Sequence, residues 1–248
     1  MRRSIALVVA TGLLALVAGC TEERTPTAGS APSDAASSAA PPSGSASPSA
    51  TAPVSPTARP TTPTPTPRPS KKPDPISVRA LIEKDYNGDK LKLGRVINRT
   101  DDYTTRIATY RSEKLTVSGV MLVPDGKGPF PVLVLNHGYI NPDTYFPGQG
   151  MPREHDYLAR QGYVVFHTDY RGHASGDDDK DVDYELRLPY AVDTINAVYA
   201  VKRSKLDFLD GDRVGWLGRS MGGNVTLNAL VAQPDLVDAA VIYASTSA

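Results

Sequence analysis

Hydrophobic and polar positions divide the chain into two different parts near residue 75. Before that point, the only long apolar run covers residues 5–17. After it, short strand-like runs alternate with helix-like segments, a pattern typical of a sheet covered by helices. The pattern therefore predicts one folded domain over residues 76–248, preceded by an N-terminal part of another kind.

The first half of this domain predicts one helix and three strands. Residues 76–86 have a helical pattern with Ser77 as the N-cap, and Asn87-Gly88 ends it. Three segments rich in Val, Ile, Thr and Tyr follow, and we expect them to form antiparallel strands. They cover residues 91–98, 103–111 and 114–123.

The second half predicts repeated strand–helix units. Its buried strands are residues 132–135, 163–166, 214–217 and 239–243, and its helices are residues 151–161, 189–203 and 222–232. Antiparallel strands followed by such units predict an α/β fold of three layers, a mainly parallel sheet with helices on both faces.

Composition separates the two parts further. All 17 aromatic residues lie beyond residue 75, whereas 14 of the 22 prolines lie in residues 21–75. Residues 76–248 carry 20 basic and 23 acidic residues, so they lack the basic excess of a nucleic-acid-binding domain. The single cysteine, Cys20, excludes an internal disulfide framework and a Cys-based zinc site. No motif requires a cofactor or a metal, and the oligomeric state stays open.

The N-terminus is typical of a targeting segment. A basic start, Met1-Arg2-Arg3, precedes the 13-residue apolar run, which is shorter than the ~20 residues that span a bilayer. The next residues, Val17-Ala18-Gly19-Cys20, resemble the lipobox of bacterial lipoproteins, whose signal is cut before an acylated cysteine. This resemblance implies export and a lipid anchor on Cys20, at the outer face of the cytoplasmic membrane or in a periplasm or outer membrane. An ordinary secretory peptide or an uncleaved anchor is the alternative.

Residues 20–75 predict a lipidated cysteine followed by a disordered linker. Ala, Pro, Ser and Thr make up most of the segment, which has no aromatic residue. Such a segment buries too little apolar surface to offset the entropy of ordering it. We therefore expect a spacer between the membrane and the domain.

The strongest chemical signal is the segment Gly-Arg-Ser-Met-Gly-Gly at residues 218–223, which matches G-x-S-x-G. It lies between a buried strand and an apolar helix, where a sharp turn exposes the serine hydroxyl. Gly218 and Gly222 leave room for that turn. Ser220 is therefore the predicted nucleophile, and the N–H of Met221 at the helix start is a predicted oxyanion donor.

A second loop follows the first buried parallel strand and reads Asn136-His137-Gly138-Tyr139. In this arrangement the loop supplies the second oxyanion N–H, which we assign to Tyr139, with Gly138 permitting close approach. His137 has two readings, a structural hydrogen-bonding role or a catalytic base, and the first is favoured because it lies in the amide-donating loop.

Together these motifs resemble the α/β-hydrolase superfamily, and more closely the prolyl oligopeptidase-type (S9) peptidase domain and related dipeptidyl-aminopeptidase-like and acyl esterases. The likeness covers about residues 91–248. It implies that Ser220 forms an acyl-enzyme with a peptide or small ester substrate. The stretch from Asp169 to His173 resembles the D-x-R-G-x-G of this fold, with the last glycine either replaced by Ala174 or displaced to Gly176. We expect Asp169 and Arg171 to brace the loop.

The remaining polar residues suggest mainly structural roles. We expect His155 at the surface or boundary, His167 as a satisfied core histidine, and His173 at the edge of the active site, with contact to substrate as its alternative role. The carboxylate run over residues 177–183 predicts a solvated acidic loop, with a weak cation site as its alternative.

The base of the triad is missing after the nucleophile. In this fold the acid and the histidine follow the serine along the chain, yet all four histidines precede Ser220. The sequence is therefore expected to be the N-terminal part of a hydrolase, with its sheet truncated after the sixth or equivalent strand. Two alternatives are a non-catalytic binding module of the same fold and a cell-wall attachment protein.

Overall fold

The computed structural model describes residues 71–246, so the predicted signal segment, Cys20 and nearly all of the predicted linker lie outside the described residues. The described chain forms seven strands and four α-helices, with a short 3₁₀ helix at Pro142–Thr144. The strands are β1 (Asp89–Arg99), β2 (Tyr103–Ser112), β3 (Leu115–Pro124), β4 (Phe130–Asn136), β5 (Val164–Thr168), β6 (Leu209–Arg219) and β7 (Ala239–Tyr243). The helices are α1 (Val78–Ile82), α2 (Pro152–Arg160), α3 (Leu188–Lys202) and α4 (Met221–Ala232).

All seven strands form one sheet in the order β1-β2-β3-β5-β4-β6-β7. The pairs β1–β2, β2–β3 and β3–β5 are antiparallel. The pairs β5–β4, β4–β6 and β6–β7 are parallel. A helix connects each parallel strand to the next, as parallel crossovers require. The predicted order of antiparallel strands followed by parallel units is confirmed, although the sheet is mixed rather than mainly parallel.

Alternate residues of the central strands face two separate cores. In β4, Val132 and Val134 join a cluster with residues of α1, α3 and α4, while Leu133 and Leu135 pack with Met151 and other residues near α2. Successive side chains of a strand point to opposite faces of the sheet. The sheet therefore has helices on both faces, and the predicted three-layer architecture is confirmed.

The first predicted helix is shorter than expected. Ser77 does cap it, since its Oγ accepts a hydrogen bond from the N–H of Ala80 at 3.2 Å. However, the helix ends at Ile82, and the Tyr86 hydroxyl folds back to donate to the carbonyl of Leu81 at 2.7 Å. Leu81 is the one buried residue of this helix, so little packing energy supports a longer one.

The strand β7 lies at the edge of the described sheet. It pairs with β6 alone, and Ala239, Ala240 and Val241 are exposed. Beside it lies an apolar groove of about 600 Å³, lined by residues of α2 and of strands β4, β6 and β7. Among residues 71–246, no helix has the length and apolar character needed to cross a bilayer.

Candidate active site

Ser220 lies in the turn between β6 and α4, as the sequence predicts. Its backbone has φ 56° and ψ −123°, a conformation that non-glycine residues rarely adopt and that costs about 1–3 kcal/mol. Such strain persists only where the surrounding structure imposes it, and it is concentrated at functional sites. Two hydrogen bonds hold the Ser220 backbone. Its N–H donates to the carbonyl of Tyr243 at 3.3 Å, and its carbonyl accepts from the N–H of Gly223 at 2.9 Å.

The two glycines of the motif are required by close backbone approach. A Cβ at Gly218 would overlap the Oγ1 of Thr226 and the carbonyl of Gly222. A Cβ at Gly222 would overlap the carbonyl of Asn136 at the end of β4. The turn after β6 can therefore pack against the loop after β4 only if both positions lack side chains.

The loop after β4 lies directly against Ser220. A Cβ at Gly138 would be 3.1 Å from the Ser220 Cβ and 3.6 Å from its Oγ. The N–H groups of Tyr139 and Met221 have no hydrogen-bond acceptor within the described residues. Two free backbone donors next to a strained serine match the composition of an oxyanion hole. The structure thus brings Ser220, Met221, Gly138 and Tyr139 together. Their chemical roles stay a prediction.

The four histidines bind other partners, and no hydrogen bond within residues 71–246 joins any of them to Ser220. His137 is fully buried, with Nδ1 2.6 Å from the carbonyl of Gly138 and Nε2 3.3 Å from that of Asp169. His167 lies between His155, at 2.7 Å, and the Tyr145 hydroxyl, at 3.1 Å. This geometry places His137 in the loop-supporting role rather than as the base.

Burial keeps the imidazoles of His137, His155 and His167 neutral at pH 7. It lowers the pKa of His137 and of His155 to about 4, against an ordinary value of 6.5. It also lowers the pKa of His167 well below that value. The alternative that His173 contacts substrate does not agree with the structure, because its side chain is 2% exposed and packs among Tyr145, Tyr170 and Tyr190.

Asp169 and Arg171 brace the loop after β5, as expected. Asp169 is buried and accepts hydrogen bonds from the Ser118 hydroxyl, the Tyr145 hydroxyl and the Gly148 N–H, at 2.7–2.9 Å. Arg171 is 3% exposed and donates to both carboxylate oxygens of Asp193, which is itself fully buried. These contacts tie the loops after β4 and β5 to α3.

The acidic run over residues 177–183 is not uniformly solvated, which corrects the expectation. Asp179 pairs with Arg171 at 2.8 Å, and the Oδ2 of Asp177 accepts the N–H of Thr116 at 2.7 Å. The run is therefore partly used to close the loop after β5 against the sheet. Within residues 71–246, no group of three or more His, Cys, Asp or Glu side chains is arranged to hold a metal ion.

Two functional-site residues were missed at the sequence level. Asp193 is the partner of Arg171, and its signal was a lone carboxylate within an otherwise apolar helix, where a charge needs a partner. Arg219 precedes Ser220 and lines the same cavity. Its signal was the charge in the variable position of G-x-S-x-G.

Known proteins resemble this chain in sequence and in fold. Residues 150–248 match the prolyl oligopeptidase family. Acetyl xylan esterase 1 from Thermoanaerobacterium sp. JW/SL YS485 superposes with a TM-score of 0.50 at 23% identity, over 65% of this chain and 54% of that one.

Two further esterases are similar. The acetyl xylan esterase from Paenibacillus sp. R4 has a TM-score of 0.45 at 21% identity, over 61% of this chain and 52% of that one. A cold-adapted esterase from an Arctic intertidal metagenomic library has a TM-score of 0.45 at 20% identity, over 64% and 65%. The chain spans about half the length of the acetyl xylan esterases it resembles. The chain therefore has an α/β-hydrolase fold, and its residues 150–248 are similar to the prolyl oligopeptidase family.

Proposed function

We propose that this domain supplies the nucleophile of a serine hydrolase that cleaves ester or peptide bonds. The observation that carries the proposal is the strained Ser220 at the start of α4, in contact with Gly138. Two backbone N–H groups beside it have no acceptor among residues 71–246. A hydroxyl held in this way is exposed to a substrate carbonyl, and preorganised donors stabilise the charge that develops on that carbonyl oxygen.

The reaction proceeds through an acyl-enzyme. The Ser220 oxygen attacks the carbonyl carbon while a general base takes its proton, and the oxyanion accepts hydrogen bonds from Met221 and Tyr139. The tetrahedral intermediate collapses, and the alcohol or amine leaves with the proton. Water then repeats the sequence, releases the acid and restores the hydroxyl.

The base is not one of the described histidines under this proposal, because His137, His167 and His173 are buried, His155 is partly buried, and all four are bound to other groups. In this fold the acid and the histidine follow the nucleophile. The mechanism therefore needs both groups from outside residues 1–248, and we expect the 248-residue chain alone to be inactive.

Both peptides and esters are candidate substrates under this proposal. The family match is to peptidases, while the solved structures of similar fold are named as esterases. Hydrolysis of a peptide and of an ester share the acyl-enzyme and the oxyanion, so the described site serves either bond.

Labelling with a fluorophosphonate tests the nucleophile in a full-length version that includes the downstream triad residues. Ser220→Ala should abolish labelling and hydrolysis of 4-nitrophenyl acetate. Ser245→Ala is the matched control, because the neighbouring Thr246 N–H contacts the Ser220 carbonyl at 3.3 Å, and it should retain both. Labelling at another serine would overturn the assignment.

The oxyanion loop is tested by Gly138→Val. The Cβ of the added valine would lie 3.1 Å from the Cβ of Ser220, so the loop must move away. Displacing one oxyanion donor lowers kcat by about 10²-fold or more. An unchanged kcat would show that Tyr139 does not donate to the oxyanion.

A non-catalytic binding module is the second candidate. It is favoured by the lack of any histidine bonded to Ser220 within residues 71–246. Such a module would bind esters or peptides without turnover and without labelling, so the fluorophosphonate experiment separates the two functions.

We also propose that Cys20 carries a lipid anchor and that the protein is exported. The lipobox-like residues 17–20 and the apolar run before them support this. Cys20→Ala should release the protein from the membrane fraction or leave the signal uncleaved. An unchanged mass and unchanged membrane fractionation would contradict the anchor.

A further inference from the structure

An open cavity of about 280 Å³ lies beside the nucleophile. Its lining is formed by Gly138, Tyr139, Ile140, Gly150, Arg219 and Ser220. Arg219 is the one charged residue among them, and its side chain is exposed. The cavity that a substrate must enter therefore has a positive charge and no negative charge on its wall.

The guanidinium of Arg219 has free hydrogen-bonding capacity. Its Nη1 donates to the carbonyl of Gly150 at 3.1 Å, which uses one of its five N–H groups. No carboxylate of the described residues lies within 4.0 Å of it. Glu154 accepts a hydrogen bond from the hydroxyl of Tyr243, the residue that is paired with Arg219 in the sheet.

A second arginine lies close to the same wall. The guanidinium of Arg187 lies over the Tyr139 ring, 4.8 Å from its centroid, and Tyr139 lines the cavity. Leu186 and Arg187 have φ values of 54° and 59°, two consecutive non-glycine residues in the left-handed region. That backbone is unfavourable for both residues. The exposed Asp183 pairs with Arg187 at 2.8 Å and offsets part of its charge.

We infer that the substrate of this site carries a carboxylate or similar anionic group that binds Arg219. The inference rests on the proposed function and specifies its substrate class. The planar guanidinium fork holds a carboxylate by paired hydrogen bonds, and Gly150 already orients it next to Ser220. The anionic group belongs either to the acyl side or to the leaving alcohol or amine, since the cavity borders the nucleophile directly.

Matched ester pairs test this in the full-length protein. On the acyl side, 4-nitrophenyl hemisuccinate is compared with neutral 4-nitrophenyl butyrate, and on the leaving side, 3-acetoxybenzoate with phenyl acetate. We expect one anionic ester to exceed its neutral partner by about two- to fivefold in kcat/KM, the range for an ion pair with an exposed arginine. The pair that responds identifies the side.

Two variants test whether Arg219 causes the preference for the anionic ester. Arg219→Gln should remove the preference, so that the anionic and neutral esters of the responding pair react at similar kcat/KM. Arg213→Gln is the matched control, because Arg213 is an exposed arginine of the same strand that pairs with Asp210, and it should leave the preference intact. Added salt should weaken the preference of the wild type and leave Arg219→Gln unaffected.

The outcomes separate this inference from the proposed function. Turnover of neutral esters with no anionic preference, or a preference that Arg219→Gln leaves unchanged, would overturn the inference and leave the nucleophile in place. If the wild type is not labelled at Ser220 by a fluorophosphonate, both the inference and the proposed function are wrong.

Discussion

The buried ion pair between Arg171 and Asp193 offers a stringent test of how the site is supported. The carboxylate of Asp193 is fully buried and accepts four kinds of donor: the Arg171 backbone N–H at 2.9 Å, its Nε at 3.0 Å, its Nη2 at 2.8 Å and the Ser112 hydroxyl at 2.7 Å. Although burial acts to lower the pKa of Arg171, these carboxylate contacts raise it above its usual value. Arg171 therefore stays protonated.

Asp193→Asn removes the charge and keeps the shape. One carboxylate oxygen becomes an NH₂ group that faces donors, so the arginine loses its main buried partner. Asp179 and Glu113 remain at 2.8 and 3.0 Å, but they are partly exposed. Breaking a buried pair on one side costs about 3–5 kcal/mol.

The assay is thermal unfolding of the protein followed by circular dichroism at pH 7.5. A domain of this size loses about 2–4 °C of Tm per kcal/mol, so Asp193→Asn should lower Tm by roughly 6–20 °C. Glu83→Gln is the matched control, because it removes one charge from the exposed pair with Arg79, and exposed pairs contribute about 0–1 kcal/mol. A shift for Asp193→Asn no larger than that of the control would refute the reasoning.

Three further predictions concern pH, the turn and the sheet edge. The pKa of His137 and of His155 is about 4 in the folded state and 6.5 when unfolded, so the unfolded chain binds more protons and stability falls as pH decreases from 6.5 towards 4. At pH 5 the loss is roughly 2 kcal/mol per histidine, and His155→Gln should reduce the slope of Tm against pH; an unchanged slope would contradict the role of burial. Gly222→Ala should destabilise by about 1–3 kcal/mol in urea unfolding, because its Cβ overlaps the backbone of β4, whereas Gly94→Ala, with its nearest atom at 3.5 Å, should cost less. Val241→Lys should reduce self-association of residues 71–248 in size-exclusion chromatography, since a charge on an exposed edge strand opposes pairing, and an unchanged profile would show that β7 is not the contact.

The order of strands and helices could be predicted from the sequence because it depends on local patterns. Continuous apolar runs mark β4, β5 and the core of β6, and β7 was predicted with the bounds it has. The turn at Ser220 was predictable for the same reason, since the small residues that permit it are neighbours in sequence. Element ends were less accurate: α1 stops at Ile82 because its packing stops there.

Local patterns along the chain thus predict the class of fold and the position of the candidate nucleophile. They do not predict which polar side chains meet, because those contacts form only in the folded chain. Arg171 and Asp193 are 22 residues apart, and the loop after β4 meets the turn after β6 across more than 80 residues. The sequence pattern of His155 and His167 did not indicate that they bind each other at 2.7 Å. Such contacts depend on how parallel strands order themselves in the sheet, because that order places their carboxyl ends, and the loops after them, side by side.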